Sequence, residues 1–261
     1  MLQGKRIAVV IPAFNAGERL ACVLRALPDG IDECIVVDDG SHPGAQACLK
    51  PAGHADAGER IAWVRHDRNR GVGAAILTGY AEARRRGADV AVVMAADGQM
   101  DPADLPALLE PVLSGRAAYS KGDRLSHPDC PRVMPPARYA GNCCLTWLTR
   151  RVTGLDDLMD SQCGYTALRL DALDSLPLES LYPRYGFPND LLAALAGAGL
   201  PVAQVVVAPV YRGEPSGLRP ALALLVYPLI LARGLWVRWL ARRHAGAAVL
   251  DATGAAPRIA G

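Results

Sequence analysis

The chain has 261 residues, 51% hydrophobic and 21% charged, enough apolar material for a sizeable core and not the make-up of a disordered chain. A net charge of +2, with no basic patch interleaved with aromatics, gives no footprint for a nucleic-acid partner. Seven scattered cysteines (22, 34, 48, 130, 143, 144 and 163), with no C-x-x-C pair, suit free thiols in a reducing compartment better than a disulfide framework or a zinc site. The first residues run straight into a short apolar segment without a signal-peptide pattern, so the expectation is a cytoplasmic protein.

Apolar runs and amphipathic segments alternate through the first half. Residues 7–11, 34–37, 61–64 and 90–95 are short, rich in β-branched residues and almost uncharged, as strands buried on both faces should be. Helical patterns fall at 16–27, in an ill-defined piece at 45–50, and at 73–86, whose Ala/Ile/Leu face backs onto Arg84, Arg85 and Arg86. Strand and helix alternating at this spacing predict right-handed βαβ crossovers. The fold class is therefore α/β, a Rossmann-like, mostly parallel sheet flanked by helices.

The middle is different. Residues 123–136, rich in Pro, Asp and Arg, read as an ordered loop over a site. A helix over 136–153 follows, then a strand near 166–170, a loop carrying Pro177, Pro183 and Pro188, a helix near 189–198 and a strand over 202–210. The stretch PALALLVYPLILARGLWVRWLARRH (220–244) opens with an uncharged apolar run of 13 residues interrupted by Pro228. A helix crossing a membrane needs about 20. Trp236 and Trp239, set among Arg233, Arg238, Arg242 and Arg243, suit a helix lying in a membrane interface. An ordinary amphipathic helix capping the domain is the alternative, and the dense leucine beside tryptophan and arginine favours the membrane. The expected organisation is a main domain over 1–217, an amphipathic, membrane-associated helical segment over 218–245 and a flexible tail over 246–261.

Polar clusters punctuate the ends of the expected strands. The first ends VVIPAFNAGERL, where Pro12 should stop the ladder and Asn15 and Glu18 mark a helix start. The second ends IVVDDGSHPG with Asp38 and Asp39, and the fourth ends VVMAADGQMDP with Asp97 and Gln99. Any one of these could be a turn or a helix cap, and Asp101 before Pro102 reads as a cap. Ligands of open parallel sheets bind outside the carboxyl ends of the strands, so together they predict a nucleotide site. The glycines of NRGVGAAILTGY do not make G-x-G-x-x-G, and no P-loop, G-x-S-x-G or H-E-x-x-H is present.

In order, VVIPAFN, VVDDGS, NRGVGAAILTGY, ADGQMDP, KGDRL, DSQCGYTALR and YGFPNDLLAAL resemble family 2 glycosyltransferases, most of all the branch related to dolichol- and polyprenyl-phosphate sugar transferases. The resemblance runs from about residue 6 to residue 216. It implies a GT-A fold, a nucleotide-diphosphate sugar donor, Mg²⁺ or Mn²⁺ as cofactor, and inversion at the anomeric carbon.

Carried onto this chain, it sets Pro12, Phe14, Asn15 and Glu18 around the base and ribose. Asp39, or secondarily Asp38, would accept hydrogen bonds from base or ribose. Asn69, Arg70 and Gly71 would close over the nucleotide, with Gly71 and Gly73 allowing close helix–strand approach. Asp97 matches the second acid of the family's D-x-D, with Gln99 beside it at the metal. Lys121 and Arg124 would meet a phosphate, for which a guanidinium fork is suited. Asp160, Gln162, Cys163 and Gly164 match a D-x-Q-C-G element on the acceptor side. Ala95 departs from D-x-D at its first acid, which leaves Asp97, Gln99 and the donor diphosphate to hold the ion.

A hydroxyl acceptor would need a general base, with Asp190 or Asp160 as candidates. A polyprenyl phosphate is already ionised, and Arg132 and Arg138 could bind its phosphate or be plain surface arginines. The expectation is thus an inverting sugar transferase acting on polyprenyl phosphate, peripheral at the inner face of the plasma membrane. Transfer to a saccharide hydroxyl, or a degenerate nucleotide-sugar-binding protein, are the alternatives.

Overall fold

The computed structural model describes residues 1–43, 60–211 and 220–253; the helical piece expected at 45–50 lies outside them. Seven strands form one sheet: β1 (Ile7–Ala13), β2 (Glu33–Asp38), β3 (Ile61–Arg65), β4 (Val90–Val93), β5 (Tyr119–Asp123), β6 (Thr166–Arg169) and β7 (Val202–Val206), in the order β3-β2-β1-β4-β6-β5-β7. The pairs β1–β2, β1–β4, β2–β3 and β5–β7 are parallel, and β6 runs antiparallel to both β4 and β5.

Side chains of period two divide between the two faces of this sheet. Ile7, Val9 and Ile11 meet Leu20 and Val23 of helix α1 (Glu18–Arg25) and Leu105, Leu108 and Leu109 of α3 (Leu105–Leu113). Ala8 and Val10 turn to the opposite face, with Ala75, Ile76 and Tyr80 of α2 (Val72–Arg85). A short α4 (Cys130–Val133) and α5 (Pro136–Thr153) follow in the chain. Leu191–Leu195 of α6 (Phe187–Gly197), and Val237 and Ala241 of the long α7 (Pro220–Thr253), complete that second core.

Two expectations are corrected. β1 continues through Pro12, which pairs in register with Val37. Even-numbered residues of β1 turn toward β4, as the bond from Met94 N to Val10 O shows, and β4 has already ended where the N–H missing from Pro12 would point. The expected C-terminal helix, α7, passes through Pro228, whose exposed position lets the helix lose one hydrogen bond without a clash in the core. Second, α7 runs to Thr253, so residues 246–253 of the expected tail are helical. Among the described residues no helix is long and apolar enough to cross a membrane. Strand β5 and helix α3 were not expected, and β6 is the antiparallel member of the sheet.

Candidate active site

The carboxyl ends of β1, β2 and β4 bring the three polar clusters to one edge. On β1's exit Phe14 is 47% exposed, and its ring centroid lies 6.3 Å from that of His42. Asn15 holds the two exits together: its N–H donates to Ser41 Oγ at 2.9 Å and its Oδ1 accepts from His42 N at 3.0 Å. Glu18 is exposed on the first turn of α1, where a carboxylate complements the helix dipole.

Asp38 and Asp39 are both buried and engaged. Asp38 Oδ1 accepts from Ser41 N at 2.9 Å. Asp39 accepts from Arg70 N and Gly71 N, each at 2.8 Å, and meets His66 Nδ1 at 2.7 Å, whose Nε2 reaches Thr78 Oγ1 at 3.0 Å. The acid expected to read base or ribose thus organises the 66–71 loop. Sequence reasoning missed His66, and a second acid behind a strand's end was the signal that such a partner existed.

The glycines of NRGVGAAILTGY have separate tasks. A Cβ at Gly71, where φ is +103°, would collide with the carbonyl of Pro183. At Gly73 it would stand 2.7 Å from Phe187 Cβ, so this contact is with α6. Close approach to a strand belongs to Gly79, whose Cβ would run into Val10 of β1. Asn69 accepts from Arg184 Nη1 at 3.1 Å.

Asp97 is half-buried and accepts from Gln99 N at 2.9 Å, a tight turn that presents its carboxylate at the end of β4. Ala95 occupies the neighbouring position, and its N–H meets Met100 Sδ at 3.1 Å. Asp101 caps the turn Pro102–Asp104 by accepting from Ala103 N at 2.9 Å, so it is structural. Gly164 lies close to Met100, where a Cβ would stand only 3.2 Å from Met100 Cε. Among the described residues no cluster of three or more His, Cys, Asp or Glu could hold a metal by itself. Asp97 with the Gln99 carboxamide offers the hard oxygen donors that Mg²⁺ or Mn²⁺ takes, as a partial set that donor phosphates would complete.

Lys121 is a correction. It is fully buried on β5, and its ammonium donates to the carbonyl of Cys163 rather than facing a phosphate. Burial pulls its pKa below that of an ordinary lysine. Arg124 is closed on Asp160, with Nε 2.8 Å from Oδ2 and Nη2 3.1 Å from Oδ1. Asp160 Oδ1 also accepts from Gln162 N and Cys163 N, each at 3.0 Å, so it fixes the D-x-Q-C-G loop. Burial would push this carboxyl up, but Arg124, Lys121 and the Gln162 amide together hold it below the usual range.

Asp190 has the same burial and fewer partners. Oδ2 accepts from Tyr182 N at 2.8 Å and Arg233 Nε at 2.7 Å, and Oδ1 has no partner among the described residues. Burial raises its pKa, and Arg233 and the Tyr182 amide offset only part of that. Neither candidate base is therefore open to an acceptor hydroxyl. Arg138 and Arg124 converge on Tyr211: the Arg138 guanidinium stacks 5.0 Å over the ring and Arg124 Nη1 lies 3.4 Å from the hydroxyl. Arg132 stands apart, exposed, 3.6 Å from Asp129.

Residues 8–176 fit the family described as glycosyl transferase family 2. The chain belongs to that family. Relatives include a UDP-N-acetylglucosamine–dolichyl-phosphate N-acetylglucosaminyltransferase of Methanococcus voltae, 28% identical over 79% of this chain and 86% of the relative. A polyprenol monophosphomannose synthase of Mycolicibacterium smegmatis is 30% identical over 78% of this chain and 77% of its own length. An undecaprenyl-phosphate mannosyltransferase of Micrococcus luteus is 29% identical over 79% and 84%.

Glucosyl-3-phosphoglycerate synthase of Mycobacterium tuberculosis, solved with Mn²⁺, UDP and phosphoglyceric acid, superposes with a TM-score of 0.63 at 23% identity, over 90% of this chain and 79% of that one. That likeness establishes the GT-A fold. The chain is a glycosyltransferase, as its family is, and its structural neighbours are solved with a divalent metal and nucleotide.

Proposed function

We propose that this glycosyltransferase moves a sugar, with inversion, from a nucleotide-diphosphate donor to a polyprenyl phosphate at a membrane surface. The observation that carries the choice of acceptor is the burial and arginine pairing of both Asp160 and Asp190. A hydroxyl acceptor must give up a proton to a base, and the two carboxylates considered for that are shut away. A phosphate monoester arrives ionised and needs no base. The relatives named for dolichyl and polyprenyl phosphate point the same way.

In the reaction, a phosphate oxygen of the acceptor attacks the anomeric carbon as the bond from that carbon to the diphosphate breaks. The nucleoside diphosphate leaves with the bonding pair. Asp97 and Gln99 are the residues that would hold Mg²⁺ or Mn²⁺, which when bound would supply positive charge to offset that of the leaving diphosphate. Phe14 and Asn15 flank the base and ribose, and the loop held by Asp39 carries Asn69 and Arg70 over the nucleotide. Arg138 and the outward edge of Arg124, gathered on Tyr211, draw the acceptor phosphate in. The Gln162 loop fixes the floor between the two substrates.

The membrane contact is the outward face of α7. Pro228, Leu229, Ala232, Leu235, Trp236 and Trp239 are exposed at helical spacing, followed by Arg242 and Arg243, with Arg243 stacked 4.0 Å over Trp239. An apolar, tryptophan-bearing face that ends in arginines suits the headgroup layer of an anionic membrane, at the inner face where the donor is available.

The test is turnover. The protein is incubated with a panel of nucleotide sugars, Mn²⁺ or Mg²⁺, and polyprenyl phosphate in detergent, and both nucleoside diphosphate and glycolipid are measured. Turnover on saccharides alone overturns the lipid reading. Donor binding without turnover on any acceptor would instead favour a nucleotide-sugar-binding protein, the reading that Ala95 motivates.

A further inference from the structure

The segment that carries Asp190 is joined to three other parts of the molecule. Its neighbour Asn189 accepts from Thr149 Oγ1 and Gln162 Nε2, both at 3.3 Å, on the acceptor side. Pro183 O accepts from Ala74 N at 3.1 Å, and Arg184 donates to Asn69 Oδ1 at 3.1 Å, on the donor side. From α7, Arg233 reaches Asp190 Oδ2 and also donates to the carbonyl of Ser180. The Arg233 guanidinium lies between two rings, 5.6 Å from Tyr182 and 5.5 Å from Trp236.

These contacts make one continuous chain. It runs from Trp236 on the outward face of α7 through Arg233 and Asp190 to the Tyr182 amide, then through Pro183 and Arg184 to Asn69 and α2. Asp39 holds the same loop from the other side through Arg70 N and Gly71 N. We propose that Arg233 is a positioning residue for the donor site: it locks the 180–184 segment onto Asp190, and so sets the 69–71 loop over the nucleotide and couples α7 to donor affinity. The inference rests on the nucleotide-donor reading. It adds that the long C-terminal helix is part of the donor site's framework as well as the side presented to lipid.

A relay of this kind has a defined signature. Arg233 touches no substrate in this scheme, so its loss should act on donor binding through the loop. Lysine could keep the ion pair with Asp190 but cannot also fork to Ser180 O, so it should rescue in part. Arg184 is the far end of the relay and is exposed, so its truncation tests the same chain without opening a buried pair.

The experiment uses the full chain. Binding of UDP, GDP and dTDP with Mn²⁺ is measured by calorimetry on wild type, and the diphosphate that binds is carried to Arg233→Ala, Arg233→Lys, Arg184→Ala and the Arg233→Lys/Arg184→Ala pair. Expected is a loss of about tenfold in affinity for Arg233→Ala and for Arg184→Ala. Arg233→Lys should be intermediate, and the pair should lose less than the sum of its members, as links of one chain do. The donor KM should rise by the same factor. If Arg233→Ala does not fold, Arg184→Ala and the pair decide. Unchanged nucleotide affinity in the folded Arg184→Ala and Arg233→Lys proteins, or strict additivity in the pair, overturns the relay. A wild type that binds none of the three diphosphates overturns the donor reading, and the relay with it.

Discussion

Arg124 and Asp160 face each other as a closed fork, with bonds of 2.8 and 3.1 Å, over a carboxylate that has no exposed surface. The same acid accepts two backbone amides from the D-x-Q-C-G loop, and Gln204 caps its own N–H at 3.2 Å. The pair is therefore a fold determinant first, and it shapes the acceptor side by fixing that loop. A guanidinium whose Nε and Nη2 are both committed can offer a ligand only its remaining edge, and that edge is turned to Tyr211.

Asp160→Asn should destabilise the protein by about 3–5 kcal/mol, because it strands Arg124 and the nearby Lys121 ammonium without their counter-charge in a buried place. Chemical denaturation measures it. The pH dependence has a fixed sign. The folded carboxyl sits below its ordinary value, so the unfolded chain binds the proton more readily. The stability due to this pair is full above the ordinary carboxylate pKa of about 4 and is lost as the pH falls through the folded value. Wild type should show that acid loss, and Asp160→Asn should show a flatter acid limb. An unchanged acid limb in the variant would exclude Asp160 as its source.

Gly79 is the clearest packing constraint in α2. A methyl group there would occupy the space of Val10 on β1, in the middle of the sheet. Gly79→Ala should cost about 1–3 kcal/mol, as overpacking does. Gly79→Ala/Val10→Ala should recover part of that by making room, a non-additivity visible in denaturation midpoints. Independent effects at the two sites would show that α2 can shift away from β1 instead.

The outward face of α7 can be tested without removing the helix. Val237 and Ala241 on its other face are fully buried in the second core, so truncation at residue 220 would damage the fold. Trp239 is 47% exposed and its ring contact is with Arg243, so Trp239→Ser with Leu229→Ser should leave the thermal midpoint nearly unchanged. Co-sedimentation with anionic vesicles should weaken by about tenfold, since such binding scales with the apolar area inserted. Undiminished co-sedimentation of the folded double variant would remove this face from the membrane reading.

What the sequence made legible follows physical strength of signal. Strands β1 to β4 and helix α2 are uncharged or strongly periodic, and the order of their motifs placed Asp38, Asp39 and Asp97 on one edge. Strand β5 was hidden because it reads YSKGD: Ser120, Lys121 and Asp123 are polar yet buried, a pattern that local propensity assigns to a loop. Helix α3 was hidden by Pro106 and Pro111, although Leu105, Leu108, Leu109 and Val112 keep the helical spacing. The site partners were the least legible. Arg233 meets Asp190 across 43 residues and Arg184 meets Asn69 across 115, and one-dimensional periodicity carries no trace of such pairings. The resemblance named Lys121 and Asp39 by position, and in the fold both side chains point inward to hold loops.

Ala95 sets the last prediction. By the resemblance it replaces the first acid of the family's D-x-D, and it lies half-exposed just beyond β4, two residues before the only carboxylate of the ADGQ turn. With one carboxylate and a carboxamide, affinity for Mg²⁺ or Mn²⁺ should depend on the donor diphosphate being present. Isothermal titration of Mn²⁺ should therefore show weak binding to the protein alone and markedly tighter binding with nucleoside diphosphate. Ala95→Asp should add a second hard oxygen ligand and bring the two conditions closer together, with about tenfold tighter binding in the absence of nucleotide. Asp97→Asn should lose metal-dependent turnover in either background, because the carboxamide cannot replace the charge. Should Ala95→Asp leave Mn²⁺ affinity unchanged while Asp97→Asn retains turnover, the metal would have to be held elsewhere than the ADGQ turn.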